Sequence, residues 1–300
     1  MAGSLFAIVG TFGFSFKGIL IKLAYAAHPV DPTTLLTLRM LYSAPFFAVM
    51  AWWSGRNAPA ISRGDGLRLL WLGFIGYYLS SLLDFIGLQY ISASLERLVL
   101  YLYPTLVLVL SAMFLKKAIG RREVVALGIS YIGIVLVVWH DLRVAGDLAP
   151  LALGSGLVFA ASLCYAIYLV GAGGVIGRIG STRFISWAML ASTVFVAAQF
   201  FATRSIDALD VPARVHWLSL AMAVFSTVLP TWLIAEALRR IGAKQSSLVG
   251  SLGPVFTIGL GAWLLNEPMT AIQLAGAALV LAGVLLVTLK SQRRPQQGGS

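Results

Sequence analysis

The sequence predicts an all-α integral membrane protein with ten transmembrane helices, arranged as two inverted five-helix repeats. Composition is the first reason: the 300 residues are 59% hydrophobic and 11% charged, whereas a soluble domain carries about 25% charged residues. The second reason is that the apolar residues fall into ten long runs, and the third is that a stretch of the first half recurs in the second.

Each apolar run is long enough for a membrane-spanning helix, which needs about 20 mostly apolar residues. A spanning β-strand needs only about 10 residues, so the runs are interpreted as helices. The connections between them are short and contain Gly, Pro and Asp, which favour turns. The predicted segments are residues 4–26, 33–53, 67–90, 93–115, 123–139, 149–172, 182–202, 214–237, 246–265 and 271–289.

The repeat is centred on a proline in the fourth and the ninth segment. A shift of 150 residues places Pro104 on Pro254, and residues 88–138 then align with residues 238–288 without a gap. Proline interrupts a helix because it lacks the backbone N–H and clashes with the preceding turn. Interrupted helices at matching positions of two halves are typical of the binding site of a transporter.

The basic residues predict that the two halves have opposite orientations. Of 22 Lys and Arg residues, 15 follow even-numbered segments, 4 lie on the opposite side and 3 lie within segments one and two. Because basic loops stay in the cytoplasm, we expect both termini on the cytoplasmic side of the inner membrane. Five helices is an odd number, so the second half enters the membrane the other way up. The predicted units are repeats at 1–142 and 143–290 and a disordered tail at 291–300.

With these features the chain resembles the EamA-type drug/metabolite transporters. The resemblance rests on the ten segments, on Pro104 and Pro254, and on the ending LLNEP at residues 264–268. It covers nearly the whole chain, and within the family the sequence looks like the aromatic amino acid and paraquat exporters. The resemblance implies a ten-helix carrier that exports small organic solutes. The first half departs from the family pattern, because Lys116-Lys117-Ala118 replaces the acid-proline ending.

Three ionisable residues are candidates for the chemistry of transport. Lys17 lies near the middle of segment one, where a lysine costs ~2.5–3.5 kcal/mol on insertion scales; it binds a substrate carboxylate or pairs inside the protein. Asp84 pairs with Lys22 or Arg39, which we favour, or carries a coupling proton. Glu236 precedes two arginines by one helical turn, which indicates an ion pair near the membrane surface.

Aromatic and small side chains near the breaks predict a mostly apolar substrate cavity with a few polar groups. A buried phenol needs a hydrogen-bond partner, so packing between helices is the alternative interpretation of the tyrosines. Trp232 lies deep in segment eight, whereas most other tryptophans lie at segment ends, where they form interfacial belts. The predicted binding residues are Lys17, Tyr78, Ser81, Tyr101, Tyr165, Tyr168, Trp232 and Ser251.

Other functional classes receive less support. The chain has one cysteine and three scattered histidines, so we expect no metal or other cofactor, and a membrane-embedded enzyme is a minor alternative. A channel is disfavoured by the two helix breaks. No Gly-rich GK[ST] loop is present, which argues against an ATP-driven pump.

The expected partners are a small-molecule substrate and the lipid bilayer. The net charge of +11 is explained by membrane orientation, so a nucleic-acid partner is not expected. A carrier of drugs or nucleobases is the alternative to an amino acid transporter. The sequence leaves transport direction, proton coupling and oligomeric state open, with a monomer as the simplest case.

Overall fold

A computed structural model of the chain describes residues 2–115, 120–145, 147–250 and 252–291. Within these ranges the chain forms eleven α-helices and one 3-10 turn, with no β-strand. The helices are α1 (Ala2–Ala27), α2 (Pro32–Gly55), α3 (Arg63–Gly87), α4 (Ala93–Leu100), α5 (Tyr103–Leu115), α6 (Arg121–Ala145), α7 (Leu148–Ile179), α8 (Ser181–Thr203), α9 (residues 213–250), α10 (Gly253–Leu264) and α11 (Ala271–Ser291).

The eleven helices account for the ten predicted membrane segments, which confirms the predicted fold class. In the described ranges, 7 helices are long and apolar enough to cross a membrane. Shorter apolar helices at Val124–His140, Gly253–Leu264 and Ala271–Leu286 coincide with segments five, nine and ten. Segment four is divided between α4 and α5, and segment nine between the end of α9 and α10.

The break between α4 and α5 follows directly from Pro104. This proline has no N–H to donate to the carbonyl of Leu100, four residues earlier. That carbonyl instead accepts a hydrogen bond from the Ser162 hydroxyl of α7 at 3.0 Å. A side chain from another helix therefore satisfies the backbone group that the proline releases, as the absence of water in a bilayer core demands.

The third helix of each half carries a second irregularity at a matching position. A π-helical turn occupies Phe74–Leu79 in α3 and another occupies Val224–Val228 in α9, so their first residues are 150 positions apart. Short π-turns inside α-helices are rare and occur frequently at functional sites. The repeat is thus visible in the backbone as well as in the sequence.

Contacts between the halves are reciprocal. Helix α1 packs against α9 and α10, and α7, its counterpart in the second half, packs against α3 and α5. The helices α2 and α8 pack against each other, as do α6 and α11. Exchanging the halves therefore reproduces the contact pattern, which is the pseudo-two-fold arrangement expected of an inverted repeat.

One predicted connection is absent from the structure. Residues 238–245 were expected to join segments eight and nine as a loop, but α9 continues as a helix through residue 250. In the first half, the Ser92 hydroxyl caps the start of α4 by accepting a hydrogen bond from the Leu95 N–H at 3.1 Å. The residue at the matching position is Gly242, which has no side-chain oxygen to cap a new helix.

The remaining boundaries are only partly covered. The predicted repeat boundary, between residues 142 and 143, falls inside the last turn of α6, and the division into domains stays a prediction. Residues 292–300 of the predicted tail lie outside the described residues.

Candidate functional site

A buried charged cluster lies where α1, α3 and α4 meet. The Lys17 ammonium of α1 is 2.7 Å from an Asp84 oxygen of α3 and 3.5 Å from a Glu96 oxygen of α4. The Asp84 and Glu96 side chains are 2% and 0% exposed, and Lys17 is 18% exposed. Ionisable groups in membrane helices are rare and mark substrate or ion pathways. We call these three residues the charged cluster.

A glycine allows the carboxylate of Glu96 to reach this position. A Cβ atom added to Gly18 would lie 3.1 Å from a Glu96 oxygen, closer than most side chains tolerate. The small residue beside Lys17 therefore brings α1 close to α4, as small residues do in membrane helix pairs.

Two arginines surround the charged cluster without pairing with its carboxylates. Arg39 of α2 is buried, donates to the Thr227 hydroxyl at 3.2 Å, and lies 5.5 Å from the Phe85 ring centroid. Arg97, next to Glu96, donates to the Thr257 hydroxyl at 3.0 Å and to a backbone carbonyl of α1. In the described residues neither arginine forms an ion pair with Asp84 or Glu96. Lys17 is therefore the direct counter-ion of both carboxylates.

The second helix break lies beside the Arg97 contact. The carbonyl of Gly253, at the start of α10, accepts hydrogen bonds from the Ser15 and Thr257 hydroxyls, both at 3.1 Å. A Cβ atom added to Gly253 would meet the Tyr101 ring at 3.9 Å. The break of the second half therefore contacts both Tyr101, at the break of the first half, and Ser15 of α1.

Five tyrosines continue from the break between α4 and α5 as a chain of ring contacts. Their members come from three elements: the α4–α5 break, α7 and the π-turn of α3. The centroid distances are 5.9 Å for Tyr101–Tyr103, 5.2 Å for Tyr103–Tyr165, 5.6 Å for Tyr165–Tyr168 and 4.9 Å for Tyr77–Tyr168. The Tyr77 and Tyr168 hydroxyls are hydrogen-bonded at 2.9 Å. We call these five residues the aromatic ladder.

The aromatic ladder and the charged cluster share two helices. On α3, Tyr77, Ser81 and Asp84 are spaced four and three residues apart, which places them along one helix face. Between α4 and α5, the Tyr101 N–H donates to the Arg97 carbonyl at 3.0 Å. A solute that contacts the ladder would therefore have ionisable groups within one or two helical turns.

A second set of polar contacts joins the end of α1, the segment between α3 and α4, and the segment between α10 and α11. Glu267, between α10 and α11, accepts hydrogen bonds from the Ala93 N–H at 2.7 Å and from the Ser94 N–H and hydroxyl at 3.1 and 2.7 Å. A carboxylate at a helix N-terminus satisfies free N–H groups and favours the helix dipole. The Lys22 ammonium donates to the Leu88 and Ile91 carbonyls at 3.2 and 3.0 Å.

The structure gathers some of the predicted residues and separates others. Tyr101, Tyr165 and Tyr168 belong to the aromatic ladder, and Ser81 lies between Tyr77 and Asp84 on α3. Tyr78 is set apart, because its ring packs on Phe74 and Phe195 with centroids 5.1 and 6.1 Å away. Ser251 lies outside the described residues, whereas Pro104 and Pro254 stand at the starts of α5 and α10.

Two predicted contacts were wrong. Asp84 pairs with Lys17, not with Lys22 or Arg39, because Lys22 reaches backbone carbonyls and Arg39 reaches a threonine on α9. Lys17 is engaged by two carboxylates, which agrees with the alternative that it pairs inside the protein, and its contact with a substrate stays a prediction.

Trp232 lies apart from the other predicted binding residues. It is 52% exposed and its ring lies 6.2 Å from that of Phe6, near the start of α1, away from the aromatic ladder. Glu236 forms the expected type of ion pair, with Arg240 at 2.6 Å.

Sequence reasoning missed four residues of the site: Glu96, Arg97, Arg39 and Glu267. Arg97 and Glu96 lie near the start of segment four, at residues 93–115. The signal was their position seven and eight residues before Pro104, which is inside an apolar segment where charges are costly. Glu267 belongs to the NEP sequence, but its partners lie 173 and 174 residues away, beyond what local spacing can indicate.

The search for metal-ligating groups concerns the described part of the chain. Among the described residues, no group of three or more His, Cys, Asp and Glu side chains is arranged to hold a metal ion.

Comparison with known proteins places the chain among membrane transporters. The model of the EamA-like transporter family matches residues 1–139 and again residues 152–289. The uncharacterized transporter YcbK of Bacillus subtilis is 29% identical over 304 residues, which cover 98% of this chain and 96% of the relative. An uncharacterized transporter of Archaeoglobus fulgidus is 26% identical over 285 residues, and the alignment covers 95% of this chain and 97% of the relative.

Two further similarities are narrower in what they show. The threonine/homoserine exporter RhtA of Salmonella typhimurium is 29% identical over 176 residues, covering 56% of this chain and 57% of RhtA. A solved crystal structure superposes on this chain with a TM-score of 0.65 and 17% identity. The match covers 97% of this chain and 99% of the chain in that structure. At that identity the match supports the fold and nothing more specific.

Proposed function

The chain belongs to the EamA-like transporter family, and on this premise we propose that it carries small amphipathic metabolites, chiefly amino acids including aromatic ones, across the inner membrane. One observation carries the proposal: the charged cluster and the aromatic ladder are adjoining parts of one central region. A site with two carboxylates, an ammonium and several phenol rings suits a solute that has both a zwitterionic and an apolar end.

The zwitterionic end is matched by the charged cluster. An α-amino acid presents an ammonium and a carboxylate a few ångströms apart. Its ammonium would join Lys17 beside Asp84 and Glu96, while its carboxylate would meet the guanidinium of the neighbouring Arg97. A buried charge without a partner is costly, and a zwitterion brings an ammonium for the carboxylates and a carboxylate for Arg97 at once.

The apolar end is matched by the aromatic ladder. Aromatic rings attract one another in edge-to-face or offset-stacked pairs with centroids about 4.5–7 Å apart, the range already occupied by the ladder. Tyr101 is the ladder member nearest the charged residues, since it follows Arg97 by one turn. A phenylalanine side chain would pack here, whereas an acidic side chain such as that of glutamate would be left without a partner.

Alternating access would use the irregular helices. The two proline breaks and two π-turns lie at matching positions, so each half has the same bending points. Transporters of inverted-repeat architecture expose a central site to each side in turn by rocking one bundle against the other. We propose export as the direction, with both termini in the cytoplasm, in line with the basic loops and with the exporter named among the relatives.

The test is uptake of radiolabelled phenylalanine, tyrosine, tryptophan, threonine and glutamate by liposomes that contain the purified protein. We expect saturable uptake of the aromatic amino acids, weaker uptake of threonine and none of glutamate. Tyr101→Ala should reduce phenylalanine uptake by at least tenfold. Tyr131→Ala is the matched control, because Tyr131 is exposed on α6.

Two results would contradict the proposal. Equal phenylalanine uptake by Tyr101→Ala and the wild type would show that the aromatic ladder does not bind the substrate. No uptake of any of the five amino acids would reject this substrate class and redirect the search to planar drugs and nucleobases.

A further inference from the structure

We propose that Asp84 and Glu96 share one exchangeable proton, and that a substrate ammonium displaces this proton, which makes the carrier a proton antiporter. The shared proton is a property of the charged cluster itself. Its displacement by substrate rests on the proposed function.

Two carboxylates converge on one ammonium, and no other donor reaches them. Both acids contact Lys17, at 2.7 and 3.5 Å. None of their four oxygens accepts a hydrogen bond of regular geometry in the described part of the chain. Like charges that share a buried site cannot both be ionised without a large cost. A proton bound between the two acids would remove that repulsion and supply the missing donor.

Among the described residues a third acid, Glu267, lies at the start of α4, where the Ala93 and Ser94 N–H groups donate to it. Helix α1 contributes Lys17 and Tyr25, whose hydroxyl donates to the Phe85 carbonyl at 2.8 Å. Helix α2 contributes Arg39 and α4 contributes Arg97, which are held by threonine hydroxyls. Helix α7 has tyrosines and a cysteine along its length and one arginine near its end, and α10 has no ionisable residue. In the described residues no third carboxylate pairs with Lys17, and the other ionisable neighbours of the acid pair are cations and phenols.

The exchange moves one positive charge, because a proton leaves while a zwitterion of zero net charge enters. With one proton bound, the acid pair carries one negative charge, which Lys17 neutralises. When an amino acid binds, the proton leaves and the substrate ammonium neutralises the second carboxylate. The substrate carboxylate is neutralised by the neighbouring Arg97, whose guanidinium is held by the Thr257 hydroxyl and by neither acid in the described residues. Each substrate that enters the site thus releases one proton, and each proton that returns expels one substrate.

Infrared spectroscopy tests the shared proton without any substrate. At neutral pH the wild type should show the C=O stretching band of a protonated carboxyl group. The band should disappear in Asp84→Asn and in Glu96→Gln, since one remaining carboxylate pairs with Lys17 and stays ionised. Asp207→Asn is the matched control, because Asp207 is an exposed acid on the 3-10 turn, and this variant should keep the band.

Liposome transport tests the coupling. With the membrane potential clamped at zero, an acidic interior should raise phenylalanine accumulation by the wild type and Asp207→Asn by about tenfold per pH unit, the limit for one proton per substrate. Asp84→Asn and Glu96→Gln should show no stimulation by the gradient.

The outcomes separate the two proposals. A wild type without the carboxyl band, or a band that persists in both variants, overturns the shared proton. A band that behaves as expected but is unchanged by phenylalanine overturns the displacement. If no amino acid is transported at all, the proposed function fails while the infrared result still decides whether Asp84 and Glu96 share a proton.

Discussion

Glu267 and Ser94 join the two halves of the molecule through a carboxylate and a helix end. Ser94, in the first turn of α4, donates its hydroxyl and its N–H to Glu267 at 2.7 and 3.1 Å, and Ala93 adds a third bond at 2.7 Å. The acid of the NEP sequence thus replaces the missing turn at the start of a broken helix. The first half carries Lys117 at the matching position, and an ammonium cannot accept hydrogen bonds from N–H groups.

Replacing Glu267 should therefore destabilise the protein through α4. Glu267→Ala leaves two N–H groups of α4 without an acceptor, so we expect the free energy of unfolding to fall by roughly 1–3 kcal/mol. Glu267→Gln should cost less, because the amide oxygen still accepts. Thermal unfolding in detergent measures both changes. Asp207→Ala is the control, with a change within about 0.5 kcal/mol, and equal effects of Glu267→Ala and this control would refute the role of the cap.

Removing Lys17 should be more harmful than removing the whole charged cluster. Lys17→Met leaves two buried carboxylates without their counter-ion, and breaking a buried ion pair costs about 3–5 kcal/mol. The triple variant Lys17→Met, Asp84→Asn, Glu96→Gln removes the charges together and should recover most of that loss. Thermal stability in the same detergent gives the comparison. If the triple variant is less stable than Lys17→Met alone, the cluster is not held by its charges.

Two glycines should respond in opposite ways to alanine. A Cβ atom on Gly76, in the π-turn of α3, would lie 2.3 Å from the Tyr168 ring and 2.5 Å from the Tyr168 Cβ. Gly76→Ala should therefore lower stability by about 1–3 kcal/mol and reduce transport by displacing the aromatic ladder. A Cβ atom on Gly156 of α7 would meet no atom within 4 Å, so Gly156→Ala should leave both unchanged or slightly raise stability. Measurements of unfolding temperature and phenylalanine uptake on both variants would expose any general intolerance to alanine.

The sequence predicted the number and kind of helices because the governing forces act along the chain. Long apolar runs must form helices in a bilayer, and the distribution of Lys and Arg follows the side on which each loop remains. The gapless alignment of Pro104 with Pro254 located both helix breaks for the same reason: the effect of proline is confined to its own turn.

The contacts within the candidate site were decided by tertiary structure. Lys17, Asp84 and Glu96 belong to three helices, and their sequence spacing gives no preference for Asp84 to pair with Lys17 over Lys22 or Arg39. The choice depends on how closely α1 approaches α4 at Gly18 and on which backbone carbonyls and hydroxyls already occupy the other cations. Trp232 illustrates the same point. The sequence showed that it lies deep in a helix, but not that its side chain lies on the exposed face of that helix. Ion pairing and the orientation of each helix face depend on distances between segments that are far apart in the chain. Hydropathy and loop charge do not determine those distances.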